Sequence, residues 1–300
     1  MRCCCLLGIT RQAYYQHFWN EQASTLEEEL VLQQVREIRR LQPAIGGRKL
    51  FVMLQSFLLE HQIKMGRDAL FDLLAANRLL VRRKRRRVAT TQSYHRFRKY
   101  PNLIREIQPT AINQVWVSDI TYYRTQAGFV YISFITDAYS RKIVGYHVAD
   151  TLEAVHTVKA LTMAIRQASG PLNGLIHHSD RGIQYCCIEY VNLLQDYGIA
   201  ISMTKNGDPL ENAIAERLNG IIKEEFLNHY SLKNQLETMG VLDQSVNTYN
   251  TIRPHMSCNM LTPADVHHNN LPISRTWKNY YKQKPTFVNP LQDYTTPVNL

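Results

Sequence analysis

From residue 115 the sequence follows an order of elements that few folds accommodate. "VWVSDITYY" (115–123) is β-rich, and "FVYISFITDAYSRKIVGYHVAD" (129–150) reads as two strands joined by the turn "DAYSRK". A helix follows at 152–168, with Ala154, Val158, Leu161 and Ile165 on one stripe. Next come a short strand at 174–180, a helix at 189–198 closed by Gly198, a strand at 199–204 and a helix at 206–226. Three strands in a row followed by alternating helices and strands predict an α/β core, a mixed five-stranded sheet with flanking helices.

The first third reads differently. Residues 26–42, 48–61 and 66–80 carry apolar residues at helical spacing, with Pro43 and Gly46-Gly47 ending the first helix. Residues 1–100 hold 19 Lys/Arg against 8 Asp/Glu, whereas residues 101–300 hold 16 against 17, so the net charge of +10 comes from the N-terminal third. A surplus confined to one region is the footprint of a polyanion partner. Its densest part is Arg82, Arg83, Lys84, Arg85, Arg86 and Arg87, a linker able to neutralise several phosphates. The division expected is a partial helix-turn-helix-like segment (1–20), a small basic helical DNA-binding domain (21–88), a basic linker (89–112), the α/β core (113–268) and a tail (269–300). "MRCCCLLGIT" is too short for a signal peptide, and no apolar run reaches the ~18 residues of a membrane span, so a cytoplasmic protein without membrane contact is expected. The six cysteines include no CxxC pair and read as reduced thiols.

Three acids need a reason. Asp119 interrupts a β-branched and aromatic strand, where acids are depleted. Asp180 ends a strand that begins apolar. On the last helix, Ala215, Leu218, Ile222 and Phe226 form the core stripe, while Glu216 has only small or polar neighbours three and four residues away. Carboxylates about 5 Å apart repel by roughly 3 kcal/mol per pair at an effective dielectric of about 20, so a cluster of them calls for cations. Oxygen-only ligands favour Mg²⁺ or Mn²⁺. Asp137 reads as a hairpin-turn residue, Trp116, Tyr122 and Tyr123 as core, and His178 as a hydrogen-bonding residue near the site. The aromatic and basic "RTWKNYYKQK" (275–284) is a weaker candidate for DNA contact.

Asp119, Asp180 and Glu216, with thirty-five residues between the last two, resemble the DDE triad of transposases and retroviral integrases. The words around them, "VWVSDITY", "ITDAYSRKIVGYHV", "HHSDRGIQY", "YNTIRPH" (249–255) and "LTPAD" (261–265), resemble the second reading-frame product of family-three bacterial insertion sequences. The resemblance implies an RNase H-like integrase catalytic core binding two Mg²⁺ at the triad, with Mn²⁺ as substitute. It implies cleavage of a phosphodiester at an element end by water, then attack of the freed 3′-hydroxyl on a second phosphodiester. Lys223 matches a basic position of the superfamily and is expected to hold DNA, with Asn212 and His178 in support. Double-stranded DNA, a homo-oligomer on that DNA and an upstream helix-turn-helix protein, joined by frameshift fusion, are the implied partners. The pattern departs from the family at Glu211-Asn212 and Glu216-Arg217, where Asp-Asn and Glu-Ser are usual. A cut-only metal nuclease of the same fold and a non-catalytic DNA-binding repressor are the alternatives. On this reading "CCCLLGITRQAYYQH" (3–17) is half of a helix-turn-helix, so the 300-residue chain is expected to bind DNA without discriminating its element ends.

Overall fold

The computed structural model describes residues 10–81, 97–105, 107–205 and 212–273. The six cations at 82–87, Glu211, most of the tail and the first nine residues lie outside them. The chain divides into two compact units, residues 1–84 and 85–300.

The first unit holds three helices, α1 (Arg11–Leu41), α2 (Gly47–Glu60) and α3 (Arg67–Ala76). Val31 and Val35 of α1, Leu50 and Leu54 of α2, and Leu70 and Leu74 of α3 form one fully buried cluster. Each such side chain contributes roughly 1.5–3 kcal/mol. Gly47 lets the Phe71 ring of α3 pack close, since a Cβ there would stand 2.8 Å from Cζ of Phe71 and would push the ring aside. Two boundaries differ from expectation. Helix α1 begins at Arg11 instead of near 26, since no glycine or proline interrupts residues 11–41. Helix α3 ends at Ala76, where Arg78 takes a left-handed conformation (φ 56°).

The second unit is built on a five-stranded sheet: β1 (Val115–Arg124), β2 (Phe129–Asp137), β3 (Ile143–Ala149), β4 (Ile176–Ser179) and β5 (Ala200–Met203), in the order β3-β2-β1-β4-β5. The β1–β2 and β2–β3 pairs are antiparallel, whereas β4 runs parallel to β1 and β5 to β4. This is the mixed sheet of an RNase H-like core. Helices α4 (Ala154–Gln167), α5 (the single turn Ile183–Cys186) and α6 (Ile188–Asp196) follow β3 and β4. Then come α7 (Ala213–Ile221), which runs on as a π-turn at Ile222–Phe226, α8 (Gln235–Thr251) and α9 (Pro263–Asn269).

Strand alternation sends side chains to opposite faces. Trp116 and Ile135 join Leu161, Ala164, Tyr190 and Leu194 on the α4/α6 face. Val130, Ile132 and Phe134 join Leu218, Ile222, Phe226 and Leu242 on the α7/α8 face. Val115 and Val117 pack with Ala215 of α7, so the odd positions of β1, Asp119 among them, are those turned toward α7. Gly145 lets α4 press onto β3, since a Cβ there would run into the Ala160 carbonyl. The β3 edge is closed by α8: Asn250 exchanges both amide bonds with the backbone of Ile143 at 3.0 Å, and Gln235 Nε2 donates to Val148 O at 2.8 Å. Covering an edge in this way blocks pairing with another chain. Among the described residues no helix is long and apolar enough to cross a membrane.

Candidate active site

The parallel register of β1 and β4 sets the geometry. Val115 pairs with Ile176, Trp116 with His177 and Val117 with His178, an offset of sixty-one residues. Carried two residues further, the same offset brings Asp119 level with Asp180, on neighbouring strands about 5 Å apart. Asp119 continues β1, where it pairs across with Phe134 of β2. Asp180 follows the last residue of β4, and its Oδ1 accepts from Gly182 N at 2.9 Å, which fixes the carboxylate at the mouth of the turn into α5.

Helix α7 brings the third acid over β1. Asn212, its N-cap residue, donates from Nδ2 to the Ser118 carbonyl at 3.0 Å. Asn219 donates from Nδ2 to Asp119 Oδ2 at 2.8 Å. The two asparagines lie four residues before and three after Glu216, on its face of the helix, so Glu216 is exposed between two anchors to β1. The core stripe Ala215, Leu218, Ile222 and Phe226 is buried as expected.

The π-turn carries Lys223 back over the end of the same strand. Its Nζ lies 3.4 Å from Tyr122 O and 5.2 Å from the centre of the Tyr122 ring. Tyr122 is therefore half-buried beneath a cation, whereas Trp116 and Tyr123 are core. Single π-turns inside helices occur frequently at functional sites.

The electrostatics follow from this crowding. Burial, then Asp180 and Glu216, push the Asp119 carboxyl up to about 7, against the Ile120 N–H bond and Lys223. Burial lowers the Lys223 ammonium, and Asp119 holds it up. Among the described residues no three His, Cys, Asp or Glu side chains converge tightly enough to hold a metal ion as they stand. The donor chemistry nevertheless fits a hard divalent cation. It is oxygen-only, its negative charge is unbalanced at Asp119, and the buried Oδ1 atoms of Asn212 and Asn219 have no hydrogen-bond partner.

The other candidates have structural settings. His178 is buried, with Nδ1 2.8 Å from Ser202 Oγ. His177 is buried and neutral, its pKa pushed down to about 3 by burial. Ser118 Oγ and the Tyr190 hydroxyl both lie at hydrogen-bond distance from its Nε2, at 2.6 and 2.8 Å. Asp137 is fully buried and accepts from the backbone N–H groups of Asn113, Tyr139 and Ser140 and from Ser140 Oγ, at 2.7–3.1 Å. Arg217 is exposed. Sequence reasoning missed Asn219 and the Ser118–His177–Tyr190 contact. Only the helical spacing of Asn219 from Glu216 hinted at a role.

Integrase core domain models match residues 109–209 and 197–263. The 31 kDa protein of insertion element IS600 from Shigella sonnei is 37% identical over 265 residues, covering 87% of this chain and 96% of that protein. The chain belongs to the insertion-sequence transposases of the integrase-core superfamily. The transposase of insertion sequence IS629, also from Shigella sonnei, is 33% identical over 65% of this chain and 66% of its own length. Among solved structures, the HTLV-2 integrase catalytic core in complex with magnesium matches 54% of this chain and all of its own, at 21% identity and a TM-score of 0.44. The family models and the sequence relatives make this transposase a DDE-type DNA-transposing enzyme, with the integrase core in its second unit.

Proposed function

We propose that Asp119, Asp180 and Glu216 are the catalytic triad, that they bind two Mg²⁺ with Mn²⁺ as substitute, and that the enzyme cleaves and joins DNA strands at the ends of its insertion sequence. The observation that carries this reading is the β1–β4 register, which brings Asp119, midway along β1, level with Asp180, just past the carboxyl end of β4. When bound, the metal pair would activate the attacking oxygen and neutralise the leaving one in an in-line displacement at phosphorus.

The residues divide the remaining work. Asp119 and Asp180 supply oxygens from the sheet, and Glu216 closes the site from α7. Asn219 donates to one Asp119 oxygen and the Ile120 N–H to the other, which orients the carboxylate and leaves a lone pair on each oxygen for the cation. Lys223 holds a phosphate of the DNA end beside Asp119. Water attacks the end phosphodiester first and frees a 3′-hydroxyl. That hydroxyl then attacks a target phosphodiester, and the displaced 3′-oxygen leaves, with no covalent bond between protein and DNA. The basic helical unit and the run 82–87 hold the duplex by its phosphates. The motif order shared with family-three elements supports a homo-oligomer on the DNA and an upstream helix-turn-helix partner that recognises the ends.

A strand-transfer assay tests this reading, with an end oligonucleotide supplied uncleaved or already carrying its 3′-hydroxyl. Asp119→Asn, Asp180→Asn and Glu216→Gln should each lower both steps by about a hundredfold or more while DNA affinity holds. A variant that reacts at the wild-type rate in Mg²⁺ removes its acid from the triad. Cleavage without joining would make the enzyme a cut-only nuclease.

A further inference from the structure

Tyr185 is the second residue of the short α5 turn that follows Asp180, and it is 3% exposed. Its hydroxyl has no hydrogen-bond partner. Buried polar groups in folded proteins are nearly always paired, so an orphaned hydroxyl calls for an explanation. The surroundings make the orphan conspicuous. The Tyr190 ring packs edge-to-face on Tyr185 with centroids 5.4 Å apart, and the Tyr190 hydroxyl is satisfied at His177 Nε2. Ser118 Oγ uses the same nitrogen, so His177 Nε2 is taken by two other hydroxyls, although the His177 and Tyr185 rings lie only 6.3 Å apart. Apolar packing alone would be served equally well by phenylalanine.

Asp180 shares the turn with this ring. A Cβ built on Gly182 would sit 3.0 Å from Asp180 Oδ1 and 3.6 Å from Tyr185 Cδ2, so the carboxylate and the tyrosine ring flank one glycine. Burial and the negative charges of Asp180 and Asp119 hold the phenol well above its ordinary range, which keeps it a donor. We propose that Tyr185 is a positioning residue for the metal site: its hydroxyl donates a hydrogen bond to Asp180 when that carboxylate turns to a divalent cation. This inference rests on the assignment of Asp180 as a metal ligand. The orphan is then a donor held in reserve, unpaired in the metal-free protein and paired in the loaded one.

The full-length Tyr185→Phe variant tests it by thermal unfolding with and without MgCl₂ and by end cleavage. Without metal, Tyr185→Phe should melt within about 1 °C of wild type or higher, because no bond of the folded state is lost. The Mg²⁺ concentration at half-maximal thermal shift should rise about tenfold, the lower end for groups that orient metal ligands. The half-saturating Mg²⁺ for cleavage should rise with it, and Mn²⁺, which binds carboxylates more tightly, should recover most of the rate. Tyr190→Phe is the control: it breaks the His177 contact, so it should lower the metal-free melting temperature and leave the Mg²⁺ dependence alone. Wild-type Mg²⁺ dependence in Tyr185→Phe would overturn the proposal, as would a metal-free loss above about 4 °C or an equal Mg²⁺ effect in Tyr190→Phe. Asp180→Asn separates the two levels of inference. It should abolish the Mg²⁺-induced shift, and if the shift survives there, the metal-site assignment itself falls.

Discussion

Asn219 and Asp119 are joined by a 2.8 Å hydrogen bond across one hundred residues of chain. The bond ties the helix that carries Glu216 to the strand that carries Asp119, so it sets the spacing between two acids and the orientation of one. Asn219→Ala should lower cleavage in Mg²⁺ by about tenfold or more, the usual scale for groups that orient metal ligands. Asn219→Asp should be worse, since it adds a fourth carboxylate to a site already crowded with negative charge. Rates in Mg²⁺ and Mn²⁺ check this, and an unimpaired Asn219→Ala would show that the bond only packs the helix.

Lys223 lies on the π-turn against Tyr122, close enough to Asp119 for each to feel the other's charge. Lys223→Ala should impair Mg²⁺-dependent cleavage of the element end more than Mn²⁺-dependent nicking of unrelated DNA. Equal loss on both substrates would argue against a role in positioning the DNA end.

The six cations at 82–87 are proposed to contact phosphates. Replacing four of them with glutamine should flatten the slope of log K against log salt by about 3 to 4 units. Affinity should fall alike for all sequences, because phosphate contacts carry no sequence information. A salt slope identical to wild type would leave the run as a linker.

Arg253, within the "YNTIRPH" stretch, is 1% exposed and donates through Nε and one terminal nitrogen to the two Glu225 oxygens, at 2.7 Å each. The pair clamps the π-turn to the end of α8. Removing one partner of a buried pair leaves the other charge stranded, at a cost of about 3–5 kcal/mol. Arg253→Ala should therefore shift the urea midpoint strongly, whereas Lys233→Ala, in an exposed pair with Glu237, should shift it little.

His177 and His267 are kept neutral by burial, with pKa values pushed down to about 3 and about 4. Between those values and the unfolded value near 6.5, the unfolded chain binds protons that the fold refuses. Their contribution to stability is thus complete above about pH 6.5 and is lost as pH falls toward 4. Asp119 and Asp137, raised in the fold, act in the opposite sense, so a variant comparison isolates the histidines. His267→Asn should keep a partner for Ser140 Oγ and reduce the acid loss between pH 6.5 and 4.5 in urea melts. An unaltered pH slope would mean that His267 titrates normally.

Much of the core could be read from sequence because the information is local. The strand-length apolar run at 129–135 and the helical spacing at 152–168 are patterns that each segment carries by itself. The three acids stood out for a similar reason: each occupied a local setting that an acid rarely has. What no local pattern contains is the offset of sixty-one residues between β1 and β4. That register depends on how the sheet's two faces pack, and it is what brings Asp119 level with Asp180. The same holds for Asn219, whose partner is a hundred residues away, and for Tyr185 and Tyr190. The two tyrosines lie five residues apart in one short stretch, yet their hydroxyls meet opposite fates, because only that of Tyr190 reaches His177 on β4. The π-turn also had no signature in the sequence, since Ile222–Phe226 continues an ordinary helical pattern. Its position is decided by tertiary contacts: Phe226 is buried under the sheet, and the Arg253 clamp holds Glu225.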